Sequence, residues 1–454
     1  ERNSAFGYGA LAANTSAEDC CAFGANALVD NTTGTRNTAF GAWSVQNTTT
    51  GFDNTGVGYN AIGECTTGDG NTAVGAYALD ANTTASYNTA IGYEALTTAT
   101  TATGNTAVGA YALDALTTAD ADTAVGYQAA SALTTGYNTT AVGAYAARDT
   151  TTGYDNTAIG TGALLVNTTG DANTVVGSYC GKAITTGDRN TAMGRDCLYA
   201  ATTGVDNCAY GAHALNDLTT GSCNTAIGED SLAKVTTNSN NTAVGAQAGE
   251  LSTGQLNVYI GHQAGRASTS GENSTFVGAY SGSAYTVTGH HNTALGYLSL
   301  HRVTSGDNNT ALGDLAGSYI DTGSSNTVVG RYSGNSISSG NYNTLVGFNS
   351  GEDITTGDDN VCIGHEAGQG QITTQSGKLF IANNDTSNGN ADTWIYGDDD
   401  GSCYQGDNSS TWSTTSDQRL KKDIVDNTVG LSVINSVKVR NFKYKQYSDG
   451  TPVS

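Results

Sequence analysis

Hydrophobic and polar positions repeat along most of this chain with a period of 17 residues. The motif Asn-Thr-Ala-Val-Gly recurs, for example at 71–75, 105–109 and 241–245, and its Gly can be followed from Gly7 through Gly24, Gly41 and Gly58 to Gly364. That makes 22 copies, with 19 of the 21 intervals equal to 17; one is 16 (Gly245 to Gly261) and one is 18 (Gly278 to Gly296). With the motif Gly as position 0, position −1 is large and apolar in all 22 copies (Phe6, Val74, Ile91, Met193, Tyr210, Leu312). Position +3 is Ala, Ser or Cys, and position −4 is Asn in 18 copies, with Cys20, Asp122, Thr139 and Ser274 as the exceptions. Position +10 is usually a Gly within Thr-Thr-Gly (Gly68, Gly136, Gly187, Gly357). Asn238 replaces it once, which suggests a positive φ there.

Seventeen is a poor helical period, and Thr, Asn and Gly are poor helix formers. Short Thr/Val/Ile segments between Gly corners fit strands, each coil stacking about 4.8 Å from the last. Identical positions then form ladders: apolar inside, small where backbones approach, Asn amide on Asn amide. The expected fold is all-β, a parallel β-solenoid or β-roll of 22 coils, about 105 Å long at that spacing. Both length changes fall before the Thr-Thr-Gly corner, as Gly254 and Gly289 show, so loops absorb them. Position +4 is mostly Leu in early coils (Leu11, Leu79, Leu164, Leu215) and mostly Gly later (Gly249, Gly265, Gly317, Gly351, Gly368). Position −2 is mostly Ala up to Ala243, then Tyr259, Phe276, Val328 and Leu345 appear. One continuous solenoid whose cross-section changes near residue 250 is the preferred reading, with two abutting subdomains as the alternative.

Small or apolar residues stand at both parities around the motif (Ala73 and Val74, then Ala78 and Leu79). A strand segment without a polar face is covered on both sides. One cover is the coil's own core; a partner chain is the expected other, in a homotrimer about a threefold axis.

Composition agrees with a thin, repeated core. Hydrophobic residues make up 37%, below the usual share of about 45–50%, while Gly numbers 60 and Pro one. The net charge of −23 argues against nucleic acid or anionic lipid as a partner. No apolar run approaches the roughly 18 residues of a membrane helix, so no membrane insertion is expected. The six His show no paired metal spacing, and no metal or cofactor is expected.

The repeat Asn-Thr-Ala-Val-Gly followed by small residues resembles the head repeats of trimeric autotransporter adhesins, which form trimeric β-rolls. With its Thr-Thr-Gly turns it also resembles bacteriophage tail-fibre shafts. This resemblance covers about residues 1–370 and implies a scaffold.

Past Thr374 the register dissolves. Three parts are expected: a solenoid shaft over 1–376, a β capping region over 377–415 and a terminal segment over 416–454. Lys378-Leu-Phe-Ile-Ala and Trp394-Ile-Tyr-Gly read as two strands of the cap. Residues 416–454 hold seven basic and four acidic residues, net +3, leaving −26 on the preceding body. Asp426-Asn427-Thr428 reads as the cap of a short helical stretch to about Val437. Ser416-Asp417-Gln418-Arg419-Leu420-Lys421, continued by Lys422-Asp423-Ile424 and Val439-Arg440-Asn441-Phe442-Lys443-Tyr444, resembles the start of the C-terminal intramolecular chaperone of endosialidase-type phage tail spikes and fibres. That resemblance implies trimer assembly followed by self-cleavage after Ser416, with Ser416 as nucleophile, Lys421 as its general base and Ser416–Asp417 as the scissile bond. A Ser–Lys pair suffices for acyl transfer when the Lys is desolvated. Only 38 residues follow Ser416, well short of a whole chaperone domain.

The functional expectation is a structural tail fibre, part of an extracellular virion appendage made in the host cytoplasm, that attaches to a cell-surface receptor. A bacterial trimeric adhesin is the alternative, and no substrate-turnover enzyme is expected. Several smaller features need placing. Cys180 and Cys197 fall in one column of successive coils, within disulfide reach or merely replacing Ala. Asp-rich turns (Asp69, Asp188, Asp307, Asp358, Asp359) read as solvated corners rather than Ca²⁺ sites. Trp43, Tyr77, Tyr111, Tyr145 and His213 suit either stacking on a glycan receptor or contacts between chains.

Overall fold

The computed structural model describes residues 2–383 and 393–405. Each of the 22 coils contributes one three-residue strand, from β1 (Ser4–Phe6) to β22 (Val361–Ile363). Every strand pairs in parallel with the strand of the next coil, in register. Thr72, Ala73 and Val74 thus lie opposite Thr89, Ala90 and Ile91. No helix occurs among the described residues.

The rest of each coil is turn, and its backbone groups are also satisfied by neighbouring coils. Leu79 N–H donates to the Ala95 carbonyl at 3.0 Å and Thr83 N–H to that of Thr100 at 3.2 Å, while Tyr77 N–H donates back to Tyr59 at 3.0 Å. Hydrogen bonds therefore run both ways along the axis, so the turns as well as the strands tie each coil to its neighbours. At position +8 the Thr hydroxyls add a second ladder: Thr151 Oγ1 donates to the Thr168 carbonyl at 2.9 Å, and Thr168 Oγ1 to that of Thr185 at 3.1 Å.

The motif Gly is required twice over. Its φ lies between 123° (Gly364) and 148° (Gly24), a region open essentially to Gly alone. A Cβ on Gly75 would also lie 2.2 Å from the carbonyl oxygen of Gly92 in the next coil. The Thr-Thr-Gly corner differs from its expectation. Neither Gly136 nor Asn238 has a left-handed φ. Gly is favoured there by close stacking alone, since a Cβ on Gly136 would meet the Gly153 carbonyl at 2.2 Å. Ala85, Ala102 and Ala119 occupy the same column, so a small displacement accommodates a methyl group. The coil instead reverses at positions −5, +2 and +4, where non-Gly residues take positive φ: Tyr87 60°, Tyr77 58°, Leu79 56°.

A second correction concerns which apolar column is inside. From the second coil onward the small residue at −2 is buried, together with +3 and +4. The large residue at −1 points outward, and none of the 22 is buried, with Phe6, Phe40 and Leu295 more than half exposed. Strand alternation explains this: −2 and −1 must face opposite ways, and a core this thin has room at −2 for Ala in most coils.

The Asn column at −4 is buried as the ladder demands. Asn71 Oδ1 accepts the backbone N–H of Asn88 at 3.0 Å and its Nδ2–H at 3.3 Å. Asn71 Nδ2 donates to the Ala85 carbonyl at position +10 of its own coil, 2.9 Å away. One amide thus closes its coil across 14 residues and binds the next.

The solenoid is continuous through residue 250. Thr242–Val244 pairs with Val258–Ile260, and this with Thr275–Val277, in unbroken register across the 16-residue coil. The 18-residue coil is accommodated at its corner, where Ser268 and Val287 form an isolated bridge. Here the core changes composition. Tyr259 and Phe276 are fully buried at −2, and their rings fill the space that Leu side chains at +4 occupy in earlier coils. A Cβ on Gly265 would lie 2.2 Å from the Tyr259 ring, and one on Gly282 2.6 Å from that of Phe276. Bulk at −2 and Gly at +4 are one substitution made in two places.

The stack continues through β23 (Leu379–Ala382), which pairs in parallel with β22. Then β24 (Thr393–Gly397) and β25 (Cys403–Gln405) add in antiparallel fashion. The Lys378 ammonium pairs with Asp398 and lies 3.4 Å from Asp399, tying β23 to the turn after β24.

Candidate functional site

Ser416, Lys421 and the Ser416–Asp417 bond lie outside the described residues, as does the helical stretch expected before Val437. The described residues hold no group of three or more His, Cys, Asp or Glu placed to bind a metal ion, and no helix among them is long and apolar enough to cross a membrane.

What the solenoid builds instead is surface. Its strand face presents −3 and −1 outward, as the alternating burial of Thr106-Ala107-Val108 shows. Phe6, Phe23 and Phe40 stack along it with ring centroids 4.9 Å apart. Aliphatic side chains, interrupted by Met193 and Tyr210, continue the row to Ile363, so one largely apolar stripe runs the length of the stack. Cys21 and Cys208 replace Thr at −3 on this face, the first exposed and the second half-buried.

A second aromatic row lies just past the Gly corner. Tyr59, Tyr77, Tyr93, Tyr111, Tyr127 and Tyr145 come from six successive coils, alternating between +1 and +2. Neighbouring rings meet edge to face, with centroids 5.4, 6.3, 5.5, 6.2 and 5.4 Å apart. Every second member was invisible to a column-by-column reading of the sequence, because the Tyr switches column in each coil. Of the other aromatics expected here, Trp43 is partly exposed in the coil before Tyr59. His213 stands well outside the row, 2.8 Å from Arg195.

The Asp-rich corners have a local role. Asp69 Oδ1 accepts the backbone N–H of Phe52 at 2.9 Å, Asp188 that of Asp171 at 2.9 Å and Asp358 that of Asn341 at 2.7 Å. Each caps the donor of the coil before it; Ser86 does the same for Asp69. Cys180 and Cys197 are buried, unbridged thiols. Contact with Cys180 and then burial push the Cys197 thiol well up, and its Sγ donates to the Ala209 carbonyl at 3.2 Å.

One rung of the Asn ladder is chemically different. Asp122 N–H donates to Asn105 Oδ1, and Asp122 Oδ1 accepts Thr139 N–H at 2.7 Å. Its Oδ2 is buried without a partner. In the coils with Asn at this place its amide donates to the +10 carbonyl, as Asn71 does to Ala85 and Asn88 to Ala102; the counterpart here is the carbonyl of Gly136. Burial pushes the Asp122 carboxyl up to about 7, against the hydrogen bond from Thr139 N–H. A protonated acid can donate as the missing amide would.

No protein-family model, no curated protein and no solved structure matches this chain.

Proposed function

We propose that this chain is the shaft of a homotrimeric fibre of the phage tail-fibre kind, a structural attachment device rather than a substrate-turnover enzyme. The observation that carries the reading is the outward column at −1: 22 apolar residues in line, none buried, on a solenoid whose own core is already filled by −2, +3 and +4. Monomeric proteins rarely expose contiguous apolar patches above a few hundred Å². Copies side by side about a threefold axis cover such a stripe along its whole length, and symmetric closure prevents open-ended association.

In this reading the segment from Ser416 is the beginning of the assembly chaperone, with Ser416 and Lys421 cutting the Ser416–Asp417 bond after trimer formation. The partner at the far end is a cell-surface receptor.

Sedimentation of the intact shaft is expected to give three chains, and a monomer would sink the proposal. Cys21 and Cys208 stand on the proposed contact face. With the other exposed thiols, Cys223 and Cys403, replaced by Ser, mild oxidation should cross-link chains, and Cys21→Ser with Cys208→Ser should then abolish the cross-linked bands. The mass of the mature polypeptide tests self-cleavage separately: an end at Ser416, lost in Ser416→Ala, establishes it.

A further inference from the structure

The tyrosine row coincides with an unusual stretch of charge. Residues 37–147 contain no Lys, Arg or His, yet hold eight acidic residues: Asp53, Glu64, Asp69, Asp80, Glu94, Asp114, Asp120 and Asp122. Elsewhere on the solenoid the same columns bring a cation onto the ring. Arg148 at +5 lies over the ring of Tyr145 at +2, 5.9 Å from its centroid. Lys182 at +5 lies over Tyr179 at +2, 5.6 Å away, and over Tyr199 at 4.7 Å. In the coils of Tyr77 and Tyr111 the +5 position holds Asp80 and Asp114 instead. Ring and carboxylate are therefore in the places that a ring and its cation occupy in neighbouring coils.

The carboxylates show the missing charge. Asp80 accepts a hydrogen bond from the Asn60 amide but meets no cation, and it is pushed up to about 6 by burial and then by Glu64. Asp114 is raised by burial, with Glu94 adding to it, and its Oδ1 is buried without a partner. The Tyr93 hydroxyl donates to Glu94, which is one reason its own ionisation is pushed up to about 12. No basic side chain of the stretch is available to relieve them.

We propose that the row Tyr59–Tyr127, with Asp80, Glu94 and Asp114, is a binding strip for a small organic ammonium ion of the choline or polyamine kind. The ring faces supply cation–π attraction, the rings together an apolar cradle, and the carboxylates the countercharge. A metal aquo-ion gains little from aromatic rings, and an anion is repelled. The two Tyr–Asp pairs stand two coils apart, about 9.6 Å by strand spacing, so a linear polyamine spans both where choline occupies one.

The test is a titration of the intact chain, followed by tyrosine fluorescence, with choline chloride and with spermidine against NaCl of matched ionic strength. A saturable change with both ammonium ligands and none with NaCl is expected, spermidine being the tighter. Tyr77→Leu with Tyr111→Leu should weaken binding about fivefold or more, whereas the Tyr→Phe pair retains it. Leu already stands in this column with positive φ at Leu298 and Leu315, so the fold tolerates the change. Asp80→Asn with Asp114→Asn should weaken it similarly; Asn216 and Asn335 are natural precedents in that column. Asp114→Lys, which places a cation as Lys182 does, should remove one site. No saturable response to choline or spermidine would overturn the proposal. So would binding that all these variants leave unchanged, or a response to neutral oligosaccharides in place of ammonium ions.

Discussion

The coils up to about residue 250 and those beyond it share one backbone path but fill it from opposite sides. In the early coils Leu at +4 projects into a core left open by Ala at −2; in the late coils Val328 and Leu345 at −2 project over Gly at +4. Each arrangement excludes the other, because a Cβ at Gly351 already lies 2.8 Å from the Leu345 methyls. Val175 with Gly181 shows the late arrangement once within the early half, and Ala294 with Leu300 the early arrangement once within the late half. The fourth inner column differs too. At +7 the early coils mix polar residues (Asn31, Thr48, Asn82, Thr150, Asn167) with apolar ones (Leu116, Leu133, Ile184, Leu218), whereas past Ser252 and Ser268 the column settles on Val303, Ile320, Ile337 and Ile354. Where one of −2 and +4 is large, the other is small. A packed interior requires this, since filled volume is what neighbouring coils share.

The largest expected effect is one to which the two regions should respond alike. Gly75→Ala and Gly330→Ala each combine a forbidden φ with a backbone clash, and each should cost about 4 kcal/mol. Urea midpoints that differ widely between the two would show that the motif Gly has different roles in the two halves. Next, Gly351→Leu should cost about 3 kcal/mol by overpacking against Leu345. The double variant Gly351→Leu with Leu345→Ala rebuilds an early coil and should recover most of that. A double-mutant cycle with no coupling would break the comparison.

Asp122 distinguishes the early Asn ladder from the late one by pH. Its folded carboxyl titrates at about 7, above its ordinary value of 3.8. The folded chain therefore keeps a proton that the unfolded chain has released. The stabilisation is complete below about pH 4 and is lost as pH rises through 7. Asp122→Asn should restore the amide donor and stabilise these coils by about 2 kcal/mol at pH 8, the gain fading towards pH 4. Hydrogen exchange at Thr139 and its neighbours reads this directly. Ladder positions beyond Asn292 should show no such pH dependence.

The smallest effect concerns the +7 column. Thr150 Oγ1 is buried without a hydrogen-bond partner, so Thr150→Val should stabilise the early region by about 1 kcal/mol. Ile337→Thr, the reverse change in the late region, should destabilise it. Thermal midpoints of the two variants moving in the same direction would show that the columns are not equivalent.

Much of this was readable in the sequence, for a physical reason. A coil that stacks on its own copies repeats every constraint 22 times, so periodicity exposes the motif Gly, the Asn ladder and the loops that take up length changes. Parity is harder to read. Both −2 and −1 are apolar in most coils, and composition cannot say which of two apolar faces looks inward. Only the closed coil decides it, through the small space left at −2. Corner geometry was hidden likewise: Leu79 and Tyr77 in left-handed conformations carry no local signal, and ladder hydrogen bonds between coils hold them there. The alternating tyrosines belong to two columns and join only when the coils stack. The sequence alone thus determined the repeat, its length and its ladder chemistry, which are local and recurrent. The tertiary structure alone decided which apolar face is exposed and which side chains meet across coils, because those depend on closing the chain into a stack.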